Sequence, residues 1–163
     1  CGTGVIESTC ELLRTERIDE TGRLDEEYFK EGFPLTEDEK IRIYQKDVRE
    51  IQLAKSAIRA GMETLIRKYQ VSCEDIDQMY IAGGFGYKLD IEKAVQIGLL
   101  PEECKEKITA VGNSSLQGAK KSLETDDAKA RWESLVRHSE EIELASSKEF
   151  QELYMEHMLF PEE

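Results

Sequence analysis

"MYIAGGFGYKLD", residues 79–90, decides how this chain is read. Met79 to Ala82 make a short apolar run, and Gly83, Gly84 and Gly86 end it. Asp90 then suits the cap of a short helix that stops at Gly98. A strand that ends in glycines and feeds a helix is a recurring way to hold a phosphate or a nucleotide. Without Cβ atoms the main chain can approach a ligand and take positive φ. The N–H groups that open the next helix attract anions. The spacing is neither a P-loop nor the dinucleotide fingerprint. On this pattern alone, a structural turn and a nucleotide contact both stay open.

Working outward, "AVGNSSLQGA" repeats the grammar: an apolar strand over residues 108–112, Gly112, then small residues opening a helix. Ser114 and Gln117 stand there at capping-box spacing. The opening "CGTG", residues 1–4, reads as a third such turn beside a helix over residues 3–16. Residues 19–40 read as an irregular, acid-rich and mobile excursion, and "IRIY", residues 41–44, as a short strand. Asp47 with Glu50 marks a helix start, and Val48, Ile51, Ala54, Ile58, Leu65 and Ile66 recur at helical steps. Ala54, Ala57, Ala60 and Gly61 leave room for a close neighbour. Pro101 suits the first turn of a further short helix. Ala128, Trp132 and Leu135 mark another, with Trp132 expected in the core. "EIELA", residues 141–145, reads as a third strand. Phe150, Leu153, Tyr154 and Met158 mark a last helix stopping at Pro161. Strand and helix alternate, so the fold class is α/β or mixed α+β.

The net charge of −13 over 163 residues argues against nucleic acid or an anionic membrane as partner. No apolar run approaches the roughly 20 residues that span a bilayer. Cys1, Cys10, Cys73 and Cys104 form no C-x-x-C pair, and no metal signature is present. They read as reduced thiols of a cytoplasmic protein. The first residue, Cys1 rather than Met, reads as the sign of a larger polypeptide. Asp19, Asp47, Asp75, Asp77 and Asp90 sit where helix caps and turns want carboxylates. Lys46 and Lys55 could reach a phosphate, though surface placement is the plainer reading. His138 and His157 carry no ligand spacing.

The segments "GTGVIESTCELL", "RIDETGRL", "QKDVREIQLAKSAIRAGMETL", "YIAGGFGYKLDIEKAVQIGLLP" and "VGNSSLQGAKKSL", in this order, resemble the C-terminal part of the reductive activators of corrinoid proteins. That family belongs to the acetate and sugar kinase, heat-shock chaperone and actin superfamily. The resemblance implies that residues 1–163 are one ribonuclease-H-like lobe, a short sheet flanked by helices. It implies ATP with magnesium shared with an absent first lobe, and an iron–sulfur cluster in an absent N-terminal part. It implies that Gly83, Gly84 and Gly86 face the nucleotide and that Gly112, Asn113 and Ser114 begin the last connecting helix. Gly2, Thr3 and Gly4 would lie near the cleft between lobes. The implied activity is ATP-dependent return of a corrinoid cofactor from cobalt(II) to cobalt(I) in a methyltransferase system. The implied partner is the corrinoid protein, with room for a homodimer. No catalytic residue is implied. A small-molecule kinase of the same superfamily and a non-enzymatic interaction module are the alternatives.

Overall fold

The computed structural model describes residues 2–84 and 88–161. Helix α1 spans Gly2–Arg14 and buries Ile6, Thr9, Cys10 and Leu12, one stripe of an amphipathic helix. The opening "GTG" is therefore the first turn of a helix and not a third glycine turn: burial of that stripe outweighs the low helix propensity of glycine.

Residues 15–44 return the chain to α1. Ile18 bridges Leu24 in antiparallel fashion, and both are almost fully buried. Asp19 closes the turn between them by accepting from the Thr21 and Arg23 N–H groups at 3.0 and 2.9 Å. Gly22 has φ +81°, and a Cβ there would strike the Gln52 side chain at 2.5 Å. Strands β1 (Phe33–Pro34) and β2 (Arg42–Ile43) pair antiparallel.

Helix α2, Gln45–Lys68, is the longest element at 24 residues. Its N-cap is Tyr44. Asp47 is the third helical residue and accepts from the Tyr44 N–H at 2.8 Å. The helix buries Val48 and Ile51 but also Gln52, Lys55, Ser56 and Thr64. Ile58 and Leu65, expected inside from their spacing, are exposed. The reason lies about a hundred residues downstream. Helix α6, Lys148–Glu156, packs on α2, and its last turn and the segment after it bring carbonyls that need donors. Gln52 donates to Met158 O at 2.8 Å, Lys55 to His157 O and Leu159 O at 2.7 and 2.6 Å, and Ser56 to Tyr154 O. A buried carbonyl without a donor is costly, so the polar side of the stripe turns inward.

Strands β3 (Met79–Ala82) and β4 (Ile108–Gly112) form a parallel pair. Between them run α3 (Ile91–Gln96), capped by Asp90, and a 3₁₀ helix, Glu102–Lys107. Helix α4 (Ser114–Glu124) and helix α5 (Ala128–Arg137) follow β4. Neither buries a residue, and Trp132 is 50% exposed rather than in the core. Its indole N–H donates to Ser122 Oγ at 2.8 Å. Residues 141–145 do not form the expected third strand; alternation alone makes no strand without a partner edge. The core gathers α1, α3, the Ile18–Leu24 bridge and Phe160. The architecture is mixed α/β, with short sheets flanked by helices.

Cys73 and Cys104 are joined in a disulfide with a Cα–Cα distance of 5.3 Å, which corrects the expectation of reduced thiols. Cys10 is free and buried; its thiol donates to Gln96 Oε1 at 2.8 Å, and burial raises its pKa.

Candidate functional site: two glycine turns at one end of a parallel pair

The glycine turns after β3 and β4 stand side by side. Met79 pairs with Ile108, Tyr80 with Thr109 and Ile81 with Ala110, but Ala82 pairs with Gly112. Val111 is the extra residue of a bulge, a device that re-aims strand ends and recurs beside functional sites. It brings Gly112 level with Ala82, so that the Gly83 N–H donates to Gly112 O at 2.6 Å. Gly83 and Gly112 have φ of 100° and 69°, the left-handed side that favours glycine.

The space around the first of these turns is open. A Cβ on Gly83, Gly84 or Gly118 would meet no atom of the described residues within 4 Å, chain neighbours apart. Among the described residues, packing does not require glycine at positions 83, 84 and 118; the φ of Gly83 favours it. Asn113 caps α4, its Oδ1 accepting from the Leu116 N–H at 3.0 Å. The expected cap, Ser114, is instead the first helical residue, because the Gly112 turn delivers the chain one position earlier. Gly83, Gly84, Gly112, Asn113 and Ser114 are thus grouped. Gly86 lies outside the described residues. Gly2, Thr3 and Gly4 are on α1, which packs on α3.

Several of the remaining singled-out residues have structural partners. Asp75 accepts from Ser72 N and Oγ at 2.8 Å, and these bonds hold its carboxyl below the usual range. Asp90 accepts from Lys93 N at 3.2 Å. Lys55, weighed as a phosphate contact, is turned inward to the C-terminal carbonyls. Lys46 Nζ lies 5.6 Å from the Tyr44 ring centroid. His138 Nδ1 is 2.7 Å from Ser134 O, and His157 Nε2 is 3.1 Å from Glu63 Oε1. Among the described residues no group of His, Cys, Asp and Glu is placed to hold a metal ion. No described helix is long and apolar enough to cross a membrane. The bulge at Val111 was missed in the sequence, since nothing in "ITAVG" marks which residue is extra.

Comparison with known proteins gives a consistent picture. A solved structure, "Reductive activator for corrinoid,iron-sulfur protein", superposes with a TM-score of 0.87 at 35% identity, over 99% of this chain and 28% of that one. "Corrinoid activation enzyme RamQ" from Eubacterium limosum is 31% identical over 98% of this chain and 31% of its own length. "[Co(II) methylated amine-specific corrinoid protein] reductase" from Methanosarcina barkeri is 30% identical over 94% of this chain and 28% of its own length. The chain therefore spans about a third or less of these relatives. A family described as the C-terminal domain of RACo, the ASKHA domain, matches residues 1–163. By that match and these relatives, the chain belongs to the family of ASKHA C-terminal domains of reductive corrinoid activators.

Proposed function

We propose that residues 1–163 are the nucleotide-binding lobe of an ATP-dependent activator that returns an oxidised corrinoid protein from cobalt(II) to cobalt(I). The observation that supports the nucleotide role is the pair of adjacent glycine turns, with open space at the Cβ positions of Gly83 and Gly84 in the first of them. A flat purine or ribose can lie against main chain there, where any side chain would stand in the way. ATP with magnesium would be shared with another lobe, and the nucleotide would supply the energy that makes an uphill electron transfer productive. It can do so only by binding one conformational state better than the other. This chain's part is to present Gly83, Gly84, Gly112 and the start of α4 to the nucleotide, and to move with it.

The described cysteines are a poor cluster set: Cys73 and Cys104 are bonded to each other, and Cys10 is buried against Gln96. The iron–sulfur cluster is accordingly assigned to the part of the relatives' length outside this chain. The corrinoid protein as partner follows from the names of the relatives. Its place in a methyltransferase system, a cytoplasmic location and a homodimer of the whole activator belong to the same proposal.

The test is calorimetric titration of the full-length protein with ATP, alongside the Gly84→Leu variant. A Cβ on Gly84 meets no described atom within 4 Å, so thermal stability should hold while ATP affinity falls by about tenfold or more, a loss of ~1.4 kcal/mol. Unchanged affinity with lowered stability would refute the nucleotide role and favour an interaction module. ATP-dependent cobalt(I) formation, followed by visible absorbance, separates the activator from a kinase, which would instead phosphorylate a sugar or an acid. The isolated chain should bind ATP weakly or not at all.

A further inference from the structure

The cysteine pair joins the two segments that lead into the parallel strands. Cys73 lies in the turn between α2 and β3, and Cys104 in the 3₁₀ helix that precedes β4. The glycine turns occupy the other end of the same pair. We propose that Cys73–Cys104 is a thiol–disulfide exchange site, opened at Cys73 by a dithiol.

Access fixes the direction of attack. Cys104 is 0% exposed, whereas Cys73 is partly exposed on the wall of a surface cavity of about 640 Å³ that Arg59, Arg67, Ser72 and Glu74 also line. An incoming thiolate therefore reaches the Cys73 sulfur, and Cys104 is the leaving group. The first step forms a mixed disulfide between Cys73 and the reductant and breaks the Cys73–Cys104 bond, the Cys104 thiolate taking up a proton. The second thiol of the reductant then attacks the mixed disulfide and frees Cys73. The protein gains two electrons and two protons, and the dithiol leaves as a disulfide.

The surroundings let the bond open without dispersing the strands. Lys107 Nζ donates to Cys73 O and Glu74 O at 2.7 and 2.9 Å. Gln78 Nε2 donates to Lys107 O and to Thr109 Oγ1. These contacts tie the same two segments together independently of sulfur. A bond backed in this way can cycle, because its partners stay close enough to re-form it. Opening it would loosen the entrances of β3 and β4.

The experiment uses full-length protein, alkylated and digested so that each cysteine peptide is followed separately. In air, a non-reducing digest should contain the linked Cys73 and Cys104 peptides. Titration of the native protein with dithiothreitol should then release both together along one two-electron curve. Glutathione disulfide should modify Cys73 in the Cys104→Ser variant about tenfold faster than Cys104 in Cys73→Ser, following exposure. Independent alkylation of both cysteines in air would overturn the proposal. So would a bond that opens only after denaturant is added, or a Cys104 that reacts as fast as Cys73. None of these readouts depends on nucleotide binding, so their failure would leave the ATP reading untouched.

Discussion

Replacing Lys55 with methionine probes the contact that organises the C-terminal segment. The lysine is 2% exposed, donates to His157 O and Leu159 O, and lies 4.9 Å from the Phe160 ring centroid. Methionine fills the same volume but donates nothing. Two carbonyls lose a donor, at about 1–3 kcal/mol each, offset by a buried charge removed and apolar surface gained. The net loss at pH 7 should be about 2 kcal/mol, or a fall in midpoint temperature of roughly 4–8 °C for a chain of this size. Burial, and then the nearby Arg59 charge, push the Lys55 pKa down to about 8 from 10.5. Between these values the unfolded chain holds the proton that the folded chain has released. Stability from this group is therefore fully present above 10.5 and is lost as the pH falls through about 8. The gap between wild type and Lys55→Met should widen by on the order of 3 kcal/mol from pH 8 to 10.5, since the neutral amine keeps two N–H groups for two carbonyls. Urea unfolding followed by circular dichroism at several pH values measures both effects. A gap under about 0.5 kcal/mol at every pH would refute the reasoning.

Two further substitutions test local geometry. Asn113→Ala removes the cap of α4 and should cost about 1 kcal/mol, read as faster amide exchange of Leu116, whose N–H it accepts. Gly98→Ala should cost more than about 1 kcal/mol, because Gly98 has φ +75° and a Cβ there would lie 3.1 Å from two Pro161 ring carbons; thermal unfolding would show it, and an unchanged midpoint would contradict the packing described.

What could be read in the sequence was short-range. The runs at 79–82 and 108–112 are strands, and Asp90 and Gly98 bracket α3, because each signal acts within a few residues. Gln52, Lys55 and Ser56 were illegible: their partners lie 106, 102 or 104, and 98 residues away, and no local pattern says that a lysine will be turned inward. Cys73 and Cys104 are 31 residues apart without a spacing signature. Asn113 and Ser114 are both good caps, so only the arriving backbone chooses between them. At the glycine turns the grammar was visible, but their alignment depended on one bulged valine.

That alignment has a mechanical side. Because the Gly83 amide is bonded to the Gly112 carbonyl, the two turns are coupled like the halves of one jaw. A molecule lodged against either would load both, and a tilt of α4 would be felt at the tip of β3 without any side chain carrying the message.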